Sequence, residues 1–430
     1  MRFKLMHPAD QIVTIMNRLY YNGMTTTTGG NLSVRDSDGN VWISPSGVDK
    51  GGLRREDIIK ITPEGEIIGI HKPSVEYPFH LGIYRARPDL HAVLHAHPPA
   101  LVAFSVVRKV PDTSIYPDAH QLCGKIEYAS YACPGSEQLG RNIADRFAAG
   151  INAVMLENHG VVIGSDDLFR AFMSFEALDY CARLEINART IGKPQGISEA
   201  DMALYRSKVM PKMDSFIQTE YTSEERALRR DMCDLIHRAY GNRLFTSDQG
   251  TFSCRLSDGS FIITPHAKDR MYLEPEDLVH IRAGLAEAGK TPSRAHTIHA
   301  EIYRRNPDIQ TIINAHPPHI MAFAVTHTDF DARLIPESYI ALRNIRRFPA
   351  GTSHLHPEQI AEVVSLTTPV VMVENDCVIA AGTSPLNAFD RLEVIEYSAK
   401  SVIEAVRLGE SIVPISPEEV GEIETVFHLS

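Results

Sequence analysis

The feature that most constrains this chain is that it is written twice, with a period of roughly 220 residues, at the scale of a domain rather than of a solenoid repeat. The segment Lys72-Pro73-Ser74 through His97-Pro98-Pro99 returns as Thr291-Pro292-Ser293 through His316-Pro317-Pro318. Within it His80 matches His299, Tyr84 matches Tyr303 and Pro88-Asp89 matches Pro307-Asp308. Outside it Gly30 and Ser33 match Gly250 and Ser253, Asp38-Gly39 matches Asp258-Gly259, and Glu157-Asn158 matches Glu374-Asn375. A chain of 430 residues in two such copies is expected to fold as two domains, 1–218 and 219–430, with the joint near Phe216–Ser223.

Each copy reads as mixed α/β. A leading helix ends near Asn22-Gly23, and the Asp38-Gly39 hairpin signal separates two β-rich stretches. The pattern predicts a helix over Tyr77–Arg87, a strand over Ala92–His97 ended by Pro98-Pro99, a helix near Glu137–Ala148, strands over 153–156 and 161–163, and a closing helix from Asp167 to Arg189. Strands and helices do not alternate cleanly, so a sandwich around a mainly antiparallel sheet is expected rather than a doubly wound parallel one.

His95 and His97 lie two apart on the predicted strand, so both imidazoles face the same side. His159, in Glu157-Asn158-His159-Gly160, follows another buried strand and is placed to bring a third nitrogen. Three neutral nitrogens with an open fourth position are the pattern of a catalytic zinc site, which also accepts manganese or cobalt. The plainer reading is three hydrogen-bonded core histidines. The second copy weighs against it: Asn314 replaces His95, Asp376 replaces His159 and Ala295 replaces Glu76, whereas His80 persists as His299. Residues that served only the fold would tend to survive in both copies. One divalent metal per chain is therefore expected, on His95, His97 and His159, with Glu76 beside it as acid/base.

With these residues in hand, the first copy resembles the class II aldolase/adducin family. The resemblance rests on Thr28-Gly29-Gly30-Asn31-Leu32-Ser33, Ser44-Pro45-Ser46-Gly47, Lys72-Pro73-Ser74-Val75-Glu76, His95-Ala96-His97 and Asn158-His159-Gly160, in order across nearly all of 7–215. It implies two tandem α/β/α sandwich domains with a central, mainly antiparallel sheet, the second lacking the catalytic residues. It implies further that Thr28, Gly30, Asn31, Ser46, Gly47 and Ser74 surround a substrate's phosphate, and that Tyr116, with His120 nearby, lies on an interface loop where members carry a protonating tyrosine. A C4 tetramer is common in the family, so a homodimer of tandem chains would form a pseudo-tetramer.

The chemistry implied is carbon–carbon cleavage of a small, sugar-like hydroxy-carbonyl, where a Lewis-acidic metal takes up the electrons left beside the carbonyl and a carboxylate moves the proton. A decarboxylase uses the same sink and is the alternative. A 4-epimerase would carry Asp where this chain has Glu76. An adducin-like scaffold would have lost the metal ligands that the first copy keeps. Val75 stands where phosphate-using members often place a second hydroxyl, which favours a substrate with a carboxylate or an apolar part. The formal net charge of −11 argues against nucleic-acid or anionic-membrane partners and admits a small anion only where local groups reverse the field. Six cysteines without a CxxC pair, no apolar signal core at the start and no apolar run of bilayer length point to a reducing cytoplasm.

Overall fold

The computed structural model describes residues 3–206 and 213–429. The chain divides into two compact units, Met1–Thr113 with Asp118–Arg183, and Ser114–Pro117 with Leu184–Ser430. No helix among the described residues is long and apolar enough to cross a membrane.

The first unit opens with a helix, Pro8–Tyr21. Pro8 is in its first turn and the His7 side chain accepts from the Ala9 N–H at 3.2 Å. Ile12, Ile15, Met16 and Leu19, spaced by three and four, form its buried stripe. Eight strands follow: β1 (Asn31–Arg35), β2 (Val41–Ile43), β3 (Ile59–Ile61), β4 (Ile67–Ile68), β5 (Ala92–Ala96), β6 (Ile126–Ala129), β7 (Ala153–Leu156) and β8 (Val161–Ser165). They lie in the order β4-β3-β2-β1-β5-β8-β7-β6. Every pairing is antiparallel except β6 with β7. The β1–β2 turn is organised by Asp36, whose carboxylate accepts from the Asp38 and Asn40 N–H groups at 3.0 and 2.9 Å.

β5 sits at the centre with every residue buried, which requires cover on both faces. On one face the helices Tyr77–Ala86 and Glu137–Ala148 pack on each other and on the sheet, through Phe79, Ile83, Leu139, Ile143 and Phe147 against Val93, Val154 and Val162. The Pro8–Tyr21 helix packs on β1 and β2, and the Arg18 guanidinium lies 4.6 Å over the Phe172 ring of the helix Leu168–Ile191.

The second unit repeats the plan with nine strands: β9 (Ser215–Phe216), β10 (Thr251–Arg255), β11 (Phe261–Ile263), β12 (Val279–Arg282), β13 (Leu285–Glu287), β14 (Thr311–Ala315), β15 (Ile345–Phe348), β16 (Val370–Val373) and β17 (Val378–Gly382). Their order is β15-β16-β17-β14-β10-β11-β12-β13-β9. The register is kept: Ser253 faces Ile263 as Ser33 faces Ile43, and Thr251 faces Asn314 as Asn31 faces His95. Single bridges Pro45–Pro73 and Pro265–Pro292 recur at matching places. The tandem α/β fold with mainly antiparallel sheets is thus present in both copies.

Candidate metal centre

The site lies where β5 ends beside the β7–β8 turn. His95 is the fourth residue of β5, and its Nδ1–H donates to the Val161 carbonyl of β8 at 3.0 Å. That bond keeps the proton on Nδ1 and leaves the Nε2 lone pair facing inward. His97 lies just past the strand end, its Nε2 2.9 Å from His95 Nε2. His159 stands in the tight β7–β8 turn, which Asn158 enters at φ 56° and which closes through Leu156 N–H to Gly160 O at 2.8 Å. Gly160 is required for this approach: a Cβ there would lie 2.6 Å from the Ala96 carbonyl and 2.7 Å from His97 Cδ2.

The ring centroids are 4.6 Å apart for His95–His97, 4.9 Å for His95–His159 and 4.8 Å for His97–His159. One nitrogen of each ring falls within 4.8 Å of the others, the only such group among the described residues. Burial, then the neighbouring imidazoles, pushes His95 and His97 down to about 3, and burial lowers His159 against the pull of Glu76. All are neutral imidazoles at neutral pH, the form that binds metal.

Glu76 caps the helix Tyr77–Ala86 and is 6% exposed. Its Oε2 accepts from Asn31 Nδ2 at 2.8 Å and lies 3.4 Å from His95 Nε2. Its Oε1 lies 3.9 Å from His159 Nε2 and is buried without a hydrogen bond. A bare buried carboxylate oxygen is costly unless something else completes it. Together with facing imidazole lone pairs it fits a divalent cation held by nitrogen, with a carboxylate alongside.

Behind Glu76 runs a relay that the motifs alone do not reveal. Asn31 Oδ1 is 2.5 Å from His80 Nε2, His80 Nδ1 is 2.7 Å from Ser33 Oγ, and Ser33 Oγ is 2.8 Å from Tyr84 OH. With its oxygen on His80, the Asn31 amide turns its NH2 to Glu76. Asn31 therefore holds the Glu76 carboxylate, with one N–H of its NH2 engaged there. The signal in the sequence is the joint loss of Asn31 and Glu76 in the second copy.

The other residues assigned to a phosphate are gathered on three neighbouring segments. Ser46 N–H donates to Lys72 O at 3.0 Å and Ser74 N–H to Ser44 O at 3.2 Å. Ser74 Oγ accepts from the Glu76 N–H at 3.3 Å. Gly30, at φ 68°, places its α-carbon where a Cβ would meet the His95 carbonyl at 2.8 Å. Thr28 and Gly47 are exposed. His120 lies on a short helix, Pro117–Cys123, with Nδ1 3.0 Å from Thr113 Oγ1. Tyr116 falls in the second unit, buried, its ring 5.9 Å from that of His316.

The second unit keeps the lock and loses the site. His299 Nδ1 meets Ser253 Oγ at 2.7 Å, which meets Tyr303 OH at 2.7 Å. The oxygen for His299 Nε2 comes at 2.9 Å from Asn314, at the place of His95, while Thr251 stands where Asn31 would be. Cys377 occupies the place of Gly160, its Sγ 3.9 Å from Asn314 Nδ2. Asp376, at the place of His159, is hydrogen-bonded by Ser353.

Two copies of one α/β sandwich, with a histidine trio beside a buried carboxylate in the first alone among the described residues, define a duplicated protein with one candidate metal centre. The chain belongs to the class II aldolase/adducin family: the family model "Class II Aldolase and Adducin N-terminal domain" matches residues 10–186 and again 230–403. It is 33% identical over 200 residues to a 5-deoxy-D-ribulose 1-phosphate aldolase of Bacillus thuringiensis, covering 45% of this chain and 91% of that protein. It is 34% identical over 179 residues to a 3-oxo-tetronate 4-phosphate decarboxylase of Haemophilus influenzae, covering 41% and 85%. A solved L-fuculose 1-phosphate aldolase superposes with a TM-score of 0.43 at 32% identity, covering 47% of this chain and 95% of that one. The first two of these relatives are named as an aldolase and a decarboxylase.

Proposed function

We propose that this chain is a divalent-metal-dependent carbon–carbon lyase of aldolase type, acting on a small, sugar-like hydroxy-carbonyl with an anionic end. The observation that carries the reading is the convergence of the bare Glu76 oxygen and three neutral imidazoles in one copy only. His95, His97 and His159 would hold the ion, zinc before manganese or cobalt. Bound there, it would supply Lewis acidity to a carbonyl and its neighbouring hydroxyl.

The chain's own groups do the rest. Glu76 takes the hydroxyl proton at Oε1 as the carbon–carbon bond breaks. Asn31, fixed by His80, keeps Oε2 occupied so that Oε1 faces the reaction. Thr28, Gly30, Ser46, Gly47 and Ser74 receive the anionic end. Tyr116 is assigned the protonation of the carbon, its phenol being restored through solvent by the proton that Glu76 gives up; a Tyr116→Phe variant tests this through kcat. The second copy, without acid/base or ligand set, is a structural partner. We read the assembly as a cytoplasmic homodimer with four copies in a ring.

Decarboxylation is the second reading, supported by the relative named for it. The deciding experiment offers metal-replete protein ketose phosphates, keto acids and hydroxy acids, following aldehyde and CO2 in parallel. Aldehyde release supports the aldolase; CO2 without aldehyde overturns it and leaves the metal reading standing. Absence of stoichiometric metal from the purified protein would sink the enzyme in favour of a scaffold.

A further inference from the structure

The first unit buries one cation that the reaction has not used. Lys50 is 1% exposed and stands three residues after Gly47. Its backbone N–H donates to the Thr27 carbonyl at 2.8 Å, and its ammonium donates to the carbonyl of Pro45. One residue thereby ties the Thr25–Asn31 segment to the Ser44–Gly47 turn. The Pro45–Pro73 bridge ties that turn in its place to Lys72–Glu76. These are the three segments that carry Thr28, Gly30, Ser46, Gly47, Ser74 and the acid/base.

An ammonium has three N–H donors, of which the Pro45 carbonyl takes one. Among the described residues no carboxylate pairs with Lys50, and burial alone pushes it down to about 8. An interior charge without a counter-ion is costly. The second unit shows how the same place looks when completed. There Arg270, also buried, repeats the backbone bond, to Ser247 O at 2.8 Å. Its guanidinium then donates to the carbonyls of Gly250 at 2.9 Å, Lys268 at 2.6 Å and Asp248 at 3.2 Å. The arginine fork closes on the chain itself; the lysine leaves donors and charge over. The copy with the intact centre is the copy with the unfinished cation. In a protein of net charge −11, this is the local reversal of field that a small anionic substrate requires.

We propose that Lys50 is a positioning residue for the substrate's anionic group, setting the spacing of the two loops that cradle it and furnishing the cradle's uncompensated positive charge. The inference rests on the lyase reading only for the location of the cradle.

The test titrates inorganic phosphate and, separately, acetate into full-length, metal-loaded protein by calorimetry, with metal content and unfolding midpoint measured on every sample. Wild type is expected to bind one of the two anions, which identifies the end group. Lys50→Met is expected to weaken that binding by about tenfold or more, and Lys50→Arg, whose fork would close on the chain as that of Arg270 does, to recover only part of it. With a turned-over substrate, the Lys50→Met loss should appear in KM while kcat stays within about threefold. Should Lys50→Met not fold, Lys50→Gln, which keeps a donor for the Pro45 carbonyl and drops the charge, is expected to show the same loss. Unchanged anion affinity in the uncharged variants overturns the role of Lys50, as does a wild type that binds neither anion. Metal-free wild type would instead strike at the lyase reading, so the two failures are distinguishable.

Discussion

At the scale of the residue, the centre is a set of atoms left incomplete on purpose by their neighbours. His95 spends Nδ1 on Val161, and Asn31 spends its amide on Glu76 and His80, so what remains is directed inward. His95→Ala should reduce bound metal, read by elemental analysis, to a small fraction of stoichiometric. Full occupancy in that variant would contradict the ligand set. Glu76→Gln should keep the metal and lower kcat by about 10²- to 10⁴-fold, the usual range for a positioned acid/base. Gly160→Ala should weaken metal binding about 10- to 100-fold, because the added methyl meets the Ala96 carbonyl and pushes the His159 turn off β5. An unaltered metal affinity would show that the turn yields without cost.

At the scale of the element, the centre depends on β5 being clamped between β1 and β8 while helices press on the sheet. Phe147 is fully buried between the Glu137–Ala148 helix and β8, where Gly164 leaves room for its ring: a Cβ there would lie 2.7 Å from Phe147 Cε1. Phe147→Ala should cost about 3–5 kcal/mol, measured by denaturant unfolding. Much of this was legible in advance. The helix read over Tyr77–Arg87 runs Tyr77–Ala86, and the strand read over Ala92–His97 runs Ala92–Ala96. The histidine trio was readable because period two puts His95 and His97 on one face, and because the second copy loses its partners together. The Asn31–Glu76 and Asn31–His80 bonds join residues 45 and 49 apart, and no local periodicity encodes them. Lys50 is not legible as a site residue, because a lone lysine in a turn reads as solvated surface. Only its burial beneath Pro45 gives it meaning. The short helix Pro117–Cys123 lies where the resemblance implies an interface loop around Tyr116 and His120, and Pro117 suits its first turn.

At the scale of the whole molecule, metal, protons and folding are linked. Burial holds His95 and His97 at about 3 and His299 at about 4, against an ordinary 6.5. The unfolded chain takes up these protons near 6.5 and the folded chain only near 3–4. Between those limits the unfolded state binds more protons, so stability rises with pH there. Metal-free protein should be fully stable above about pH 6.5 and lose stability steadily as it is acidified towards pH 4. Urea midpoints at pH 7.5, 6 and 5 test this, and a flat profile would contradict it. At pH 7.5 a chelator should lower the thermal midpoint of wild type but not of His95→Ala, since only a ligand bound to the folded state stabilises it. Light scattering should return twice the 47.8 kDa chain mass if the ring of four copies forms.

The two units satisfy the same buried histidine from opposite strands, by Asn31 on β1 in the first and by Asn314 on β14 in the second. This makes the loss of chemistry a ratchet. Changing Asn314 to His alone would strip His299 of its acceptor and gain no base, no third ligand and no room beside Cys377. Thr251→Asn must come first, and by itself it crowds a place that the Thr251–Ser293 bond already fills, at 2.7 Å. The second copy therefore cannot reach the first copy's arrangement one substitution at a time, whereas it is free to change wherever the lock is untouched. An intact serine–histidine–tyrosine lock paired with an asparagine from the strand that carries His95 in the first copy is then a pattern that can be sought in other tandem chains of the family.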